Sequence, residues 1–383
     1  MSGRTLVITN DFPPRAGGIQ AFVHNLVIRQ PHGSVVVFAA DWRGAAEFDS
    51  KLPFPVYRHS RTVMLPTPAT LRRALDIATA EGCDRVLFGA TAPLGLLGTA
   101  LRKHGMQRLV GITHGHEAAW GITPGTRGLL RRIGDSLDTI TYLGEYTRSR
   151  IAGALSPGAA DRMRRLVPGV DAGEFTPDRC DAGLELRERL GLADRQVIVC
   201  VSRLMPRKGQ DSLIAALPRI RRRVPEAALL LVGGGPYRGK LERQVRLSGQ
   251  ERHVVITGSV PWETMPNHYA AGDVFAMPCR TRRFGQDVEG LGIVYLEASA
   301  TGLPVIAGDS GGAPDAVLDE VTGLVVSGRS EAQIADALVR LLSDPGLRAR
   351  MAETGRDWVT TEWRWDRSAR RLADLLAGPV PSA

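Results

Sequence analysis

Lysine is scarce in this 383-residue chain: Lys51, Lys103, Lys208 and Lys240 are only four of its 49 Lys and Arg residues. Arginine carries nearly all of the positive charge, so a lysine placed in a turn stands out against the background. Cysteine is as sparse, and Cys83, Cys180, Cys200 and Cys279 lie far apart with no Cys-x-x-Cys and no His-rich companion. That spacing excludes a zinc ribbon or a disulfide scaffold and predicts reduced, structural thiols. No stretch approaches the roughly 20 apolar residues of a membrane-spanning helix. The chain begins with a strand pattern, RTLVITN, and lacks the charged-then-apolar order of a secretion signal. A cytosolic protein is expected, with any membrane contact peripheral. Neither Asp-x-Asp nor Gly-x-Gly-x-x-Gly occurs, which argues against a carboxylate-held cation and against the dinucleotide fingerprint.

A chain of this length exceeds what one hydrophobic core supports, because such cores stop growing before about 300 residues; two domains are expected. With 43% hydrophobic and 23% charged residues the composition is that of a globular protein. The net charge of +9 is unevenly spread. Residues 1–170 hold 21 Lys/Arg against 12 Asp/Glu, whereas the rest holds 28 of each, so the whole excess belongs to the first half. A one-sided field of that kind attracts an anionic partner such as nucleic acid, a polyphosphate or an acidic membrane surface.

Short β-branched runs alternate with helical patterns, the signature of parallel sheets covered on both faces. In the first half the strand runs are 6–9, 35–39, 85–89, 109–113 and 139–143, with helices over 20–29, 71–81 and 94–104. The turn-rich stretch 167–177, with Pro168, Gly169, Gly173 and Pro177, reads as a linker. A second series follows, with strands at 197–201, 228–232, 254–257, 274–277, 304–307 and 323–325 and helices over 210–224, 237–248 and 293–301. The expected fold class is α/β, two doubly wound Rossmann-like domains in tandem. Such sheets leave a cleft beyond their carboxyl edges, where ligands usually bind. The boundaries fall at 1–169, 170–361 and a closing helical segment, 362–383; Trp358, Trp363 and Trp365, around the start of that segment, read as packing.

The strongest chemical signal is the run VEGLGIVYLEA, in which Glu289 and Glu297 flank a Gly-rich entry into a helix. Gly290 and Gly292 let the backbone approach a ligand, and the free N–H groups of Gly292, Ile293 and Val294 can receive phosphate oxygens. Glu297 lies about a turn deeper, able to accept bonds from vicinal hydroxyls, while Glu289 stands ahead of the helix. A second element, SRLMPRKG, places Arg203 and Lys208 around a turn after a strand, where converging cations can neutralise a departing diphosphate. In NDFPPRAGGI, Gly17 and Gly18 open the first helix, so their amides can meet a phosphate or simply form a turn. In THGHE, His114 follows a strand and can reach a bound sugar, although a lone histidine is as readily structural. His-x-His-Glu alone does not make a metal centre, and a metal-free site without cofactor is expected.

Together these elements resemble the GT4 family of retaining glycosyltransferases, a likeness that spans the chain from Thr5 to Leu376. The resemblance implies the GT-B fold, with an acceptor-binding first domain, a nucleotide-sugar-binding second domain and the closing helix packed back on the first. It implies that Arg203 and Lys208 bind the donor diphosphate, that Glu297 holds ribose hydroxyls, and that Glu289 bonds the donor sugar. His114 would contact the sugar or support developing positive charge, and Gly17 and Gly18 would touch phosphate. The 233–236 loop and the Gly258, Ser259 and Val260 loop would line the nucleotide pocket. Within the family, NDFPPRAGGIQ, THGHE, SRLMPRKGQD and DVEGLGIVYLEA are similar to actinobacterial phosphatidylinositol monomannoside mannosyltransferases. Those use GDP-mannose in an α-1,6 transfer within phosphatidylinositol mannoside, lipomannan and lipoarabinomannan assembly. The implied acceptor is an anionic phosphoinositide-type lipid of the inner leaflet. His59, Arg61, Arg72, Arg73, Arg127, Arg131 and Arg132, beside apolar residues in 67–78 and 128–133, would then meet the membrane, or are ordinary solvated helix faces. Because both glutamates go to the donor by this likeness, neither is left as a glycosidase-type nucleophile about 5 Å from an acid. Front-face transfer is implied, with the leaving diphosphate taking the acceptor's proton.

Two other classes compete. A nucleotide-sugar hydrolase or epimerase could use the same scaffold and would release sugar without acceptor. A nucleic-acid binder would account for the basic half, but no recognition motif supports it.

Overall fold

The computed structural model describes residues 3–115, 117–123 and 125–378. The chain divides into two compact units, one of Met1–Gly169 with Trp365–Ala383 and the other of Val170–Arg364. The first contains β1 (Arg4–Thr9), β2 (Val35–Ala39), β3 (Val56–Arg58), β4 (Cys83–Phe88), β5 (Arg108–Gly111), β6 (Thr139–Tyr142) and β7 (Arg164–Arg165), in the order β3-β2-β1-β4-β5-β6-β7. The second contains β8 (Gln196–Val201), β9 (Ala227–Val232), β10 (Val254–Gly258), β11 (Val274–Met277), β12 (Val305–Gly308) and β13 (Gly323–Val326), in the order β10-β9-β8-β11-β12-β13. All these pairings are parallel. Each sheet reverses its winding once, between β1 and β4 and between β8 and β11, and the crevice at such a switch point is the usual ligand site.

The central strands are apolar without alternation because both faces are covered. All residues of β2 and of β9 are buried. One face of the first sheet packs Leu6, Ile8, Val36, Phe38, Val86 and Phe88 against helix residues that include Ala74, Ile77, Leu101, Leu130 and Ile133. On the first unit also lies helix Trp365–Ala377, with Ala369, Leu372 and Leu376 buried. Its backbone is held by Gln30 Nε2 to Ala369 O at 3.2 Å and Arg108 Nε to Leu375 O at 2.9 Å. Trp358 and Trp363 meet edge to face at 5.5 Å, and Trp365 lies beside Phe22 at 6.0 Å.

Two edge strands, β3 and β7, were not expected from sequence. β3 is only half buried and β7 is two exposed arginines, so neither has the apolar run that marks a central strand. The expected helix over 94–104 is instead a 3-10 turn, Leu94–Leu97, leading into an α-helix, Gly98–Lys103. Crowding explains the change. A Cβ on Gly95 would stand 2.7 Å from Ile133 and one on Gly98 2.4 Å from Ser136, so this segment lies hard against helix Thr126–Ser136.

The same device closes the amino edge of both sheets. Asp138, just before β6, donates its N–H to Leu109 O at 2.9 Å and accepts the N–H of Leu109 at 2.7 Å through its carboxylate. Asp273, just before β11, makes the matching pair with Val197 at 2.8 and 2.7 Å. In each case a side chain extends a parallel ladder ahead of its first strand pair. Asp273→Ala leaves the buried Val197 N–H unsatisfied, and it is expected to lower unfolding free energy by about 1–3 kcal/mol. Urea denaturation against Asp273→Asn, which keeps an acceptor, measures the loss.

Candidate active site

At the carboxyl edge of the second sheet, the loops after neighbouring strands lock together. After β8 the chain makes the turn Pro206–Lys208 and enters helix Gln210–Arg221 through Gly209, whose φ is 81°. A Cβ at Gly209 would lie 2.1 Å from Pro278 O, so this close approach requires glycine. The loop after β11 answers with a bond from Arg280 N to Arg207 O at 2.8 Å. The Arg280 guanidinium holds Asp211 at 2.6 Å and Ser212 Oγ at 2.7 Å, pinning the first turn of the same helix.

This scaffold brings Lys208 and Glu289 together. Both are buried, and Lys208 Nζ stands 2.7 Å from Glu289 Oε2. Arg207 Nε lies 3.7 Å from the same oxygen, and Arg207 Nη1 reaches Asp287 Oδ1 at 3.4 Å. Burial pushes the Glu289 carboxyl up, but Lys208 and Arg207 outweigh it and hold the group below its ordinary range. The backbone of Glu289 is fixed as well, since its carbonyl accepts Gly312 N–H at 2.9 Å and its own N–H donates to Ser310 Oγ at 3.4 Å. Gly311, at φ 60°, comes so near that a Cβ would sit 2.1 Å from Glu289 O.

Behind this pair, helix Ile293–Ala300 starts at Gly292, with φ 86° and no side-chain cap. Its first amides therefore lack intrahelical partners and can serve an anion. Glu297, on the buried side of the helix, accepts the Tyr269 hydroxyl at 2.5 Å. Burial raises its carboxyl to about 7, the Tyr269 bond opposes this, and Glu174 adds to it. The loops after β9 and β10 join through Gly233 N to Gly258 O at 3.0 Å, and Leu204 N donates to Gly234 O at 3.0 Å. Arg203, in contrast, is exposed, and its guanidinium has no partner among the described residues.

In the first unit, Gly17 precedes helix Gly18–Val27 without a side-chain cap. The Gln20 amide donates to Asp11 Oδ1 at 2.7 Å. After β5, His114 Nε2 lies 2.6 Å from Gly89 O, the His114 backbone N–H donates to Glu117 Oε2 at 3.0 Å, and the His114 ring meets Phe22 edge to face at 5.5 Å. The structure thus gathers His114 and the first helix at one carboxyl edge; His116 lies outside the described residues. The arginines expected at an acceptor or membrane separate into two groups. Arg61 follows β3, and Arg72 and Arg73 lie in the early turns of helix Pro68–Ala80, so all three border the carboxyl edge beside exposed Val63 and Leu65. Arg131 and Arg132 instead line a groove of about 810 Å³ with Arg102, Lys103 and Arg162, which extends to Asp138 at the amino edge.

Comparison with known proteins agrees with this geometry. The pattern of the glycosyl transferases group 1 family matches residues 184–358, the stretch that carries the ion pair and both glutamates. A GDP-mannose-dependent alpha-(1-6)-phosphatidylinositol monomannoside mannosyltransferase of Mycolicibacterium smegmatis is 50% identical, covering 97% of this chain and 98% of its own length. The chain belongs to the group 1 glycosyltransferases. A GDP-mannose-dependent monoacylated alpha-(1-6)-phosphatidylinositol monomannoside mannosyltransferase of Corynebacterium glutamicum is 44% identical over 98% of each chain. Among solved structures, Anabaena Alr3699/HepE in complex with UDP matches this glycosyltransferase with a TM-score of 0.80 at 19% identity, over 97% of this chain and 98% of that one. Sucrose-phosphate synthase from Thermosynechococcus elongatus matches at 0.77 and 21%, over 97% of each. Those likenesses establish the GT-B class of this glycosyltransferase. Among its described residues no helix is long and apolar enough to cross a membrane.

Sequence reasoning missed Arg207, Asp287 and the Ser310 to Gly312 loop. It also missed Asn10, whose side chain brackets Met64 with bonds of 2.6 and 3.0 Å and so ties the Arg61 to Leu65 loop to the end of β1. The folded value of Glu297 lies above its ordinary 4.5, so between about pH 5 and 7 the folded chain keeps a proton that the unfolded chain has lost. Stability must fall as pH rises through that window. Melting curves from pH 5 to 8 are expected to show this decline, and Glu297→Gln is expected to flatten it.

Proposed function

We propose that this glycosyltransferase transfers mannose from GDP-mannose to phosphatidylinositol monomannoside, forming an α-1,6 linkage with retention of the anomeric configuration. The observation that carries the reading is the buried Lys208 and Glu289 pair, set before an uncapped helix start. Its support is near 50% identity, over almost the whole chain, to relatives named for that reaction.

In this reading the donor diphosphate lies against the amides of Gly292, Ile293 and Val294, with Lys208 and exposed Arg203 closing on it. Before the donor enters, Glu289 neutralises Lys208; afterwards Lys208 faces a second anion and Arg207 continues to balance Glu289. Held ionised, Glu289 accepts a hydroxyl of the mannose. Glu297 accepts ribose hydroxyls, and the Gly258 and Val260 loop lines the nucleotide. To the first unit we assign His114 as a sugar contact and Gly17 and Gly18 as phosphate contacts.

The acceptor hydroxyl oxygen bonds to the anomeric carbon on the face that the diphosphate leaves. The breaking bond gives its electron pair to the diphosphate, and the hydroxyl proton passes to one of its oxygens. Fixed cations and amides stabilise this charge without reorganising, the effect that dominates many such transfers. The positive charge comes from protein groups, so neither metal nor cofactor is assigned.

The acceptor is a lipid, and the reading places the enzyme peripherally on the cytoplasmic membrane face. Arg61, Arg72 and Arg73, with Val63 and Leu65, offer cations beside apolar side chains. The Arg131 and Arg132 groove supplies further positive charge. Basic residues near an anionic leaflet contribute about 1 kcal/mol each.

Radiolabelled GDP-mannose with extracted lipids tests the reaction, and calorimetry with GDP, UDP and ADP tests the base. Sugar released at full rate without acceptor would favour a hydrolase instead. Lys208→Ala is expected to lower turnover at saturating donor on the order of a hundredfold, the size of a lost charge-stabilising donor; unchanged turnover removes the assignment. The combined variant Arg61→Gln, Arg72→Gln, Arg73→Gln should bind vesicles containing phosphatidylinositol more weakly in sedimentation, with a shallower salt dependence and unaltered GDP affinity.

A further inference from the structure

Just ahead of Glu289 the chain makes a small closed loop that neither the fold nor the donor chemistry explains. Arg282 and Asp287 exchange backbone bonds of 2.9 and 3.2 Å, and their side chains pair at 3.7 Å. Asp287 also reaches Arg207, which in turn flanks Glu289, so the loop's base is fixed to the ion-pair cluster. Its tip is strained. Arg283 and Phe284 have φ of 49° and 54°, and Gly285 follows at 90°. Left-handed backbone is unfavourable for a branched or bulky residue, and successive examples persist only where the surroundings enforce them. No packing rewards this one, because the Phe284 side chain is fully exposed. Arg283 is exposed too, and among the described residues its guanidinium has no partner.

The strain therefore holds an aromatic ring and a free guanidinium outward, a few residues from the carboxylate assigned to the transferred sugar. The donor has no assigned use for them: its guanine is given to the Gly258 and Val260 loop, and its phosphates to Lys208 and the helix amides. An acylated phospholipid acceptor has both complementary features, a phosphodiester anion and a glycerol with acyl chains, within a few bonds of its reacting sugar. We propose that Arg283 and Phe284 form an acceptor-binding tip on the second unit, the guanidinium meeting the acceptor phosphate and the ring lying against its acylated glycerol. This rests on the acceptor assigned under the proposed function. It assigns lipid recognition to a loop of the unit that holds the donor.

Phe284→Gly tests it well, because glycine accepts the left-handed backbone and the variant should fold at least as stably as the parent. Initial rates are measured with phosphatidylinositol monomannoside in detergent micelles and with its deacylated, water-soluble form. The variant is expected to raise KM for the acylated acceptor about tenfold while leaving the deacylated acceptor and the KM for GDP-mannose unchanged; Phe284→Leu should restore most of the difference. Equal effects on both acceptors, or none, overturn the proposal while the mannosyl transfer itself stands. A matching loss of binding to vesicles that contain no acceptor would make the ring a membrane anchor and also overturn it. If the parent enzyme transfers mannose to neither acceptor, the assigned reaction falls and this inference with it.

Discussion

The buried ion pair of Lys208 and Glu289 is the constraint that the second unit is built around. Removing one partner of such a pair leaves an uncompensated charge in a poorly solvated place, typically at several kcal/mol, so the two side chains must be delivered together. That demand explains the close backbone approaches on every side. Gly209 lets the loop after β8 touch the loop after β11, Gly292 turns the chain into its helix, and Gly311 brings the loop after β12 onto Glu289. Lys208, Arg207 and Arg282 set three cations against Glu289 and Asp287, so the cluster is net cationic beside a helix start with no side-chain cap, an arrangement suited to a diphosphate.

The two units share a plan and differ in their charges. Strand order around the switch point is the same in both, and an aspartate extends a ladder at the amino edge of both. Yet the carboxyl edge of the second unit buries the Lys208 and Glu289 pair among its loops, while that of the first displays Arg61, Arg72 and Arg73 and engages His114 with a carbonyl and an aromatic ring. Buried, fixed charge suits a small polyanion gripped through a reaction. Exposed, movable charge suits a large anionic surface approached from outside.

Much of this was legible in the sequence, for a physical reason. Central strands of a covered parallel sheet are apolar runs, so β1, β2, β4 to β6 and β8 to β13 announced themselves within a residue or two. Glu289, Glu297, Lys208 and the glycine of the helix entry share short motifs whose spacing carries the geometry. What stayed hidden depends on contacts between loops distant in sequence. Arg207 was one arginine among many until Asp287 and Glu289 stood next to it, and Ser310 to Gly312 became part of the site only once β12 lay beside β11. The same holds for Asn10 and Met64, 54 residues apart, and for the basic groove, whose arginines belong to two helices and a turn.

The final helix belongs to the unit that the chain builds first, and this has a consequence during synthesis. The chain leaves that unit at Gly169 and returns at Trp365, and a bond from Val170 N to Trp363 O at 2.8 Å joins the two crossing segments. Emerging from the ribosome, the opening half must wait through nearly two hundred residues with the seat of Leu372 and Leu376 uncovered. The intervening unit, contiguous in sequence, can close before the earlier one is complete. A nascent chain therefore has reason to assemble its second unit before the first unit is sealed.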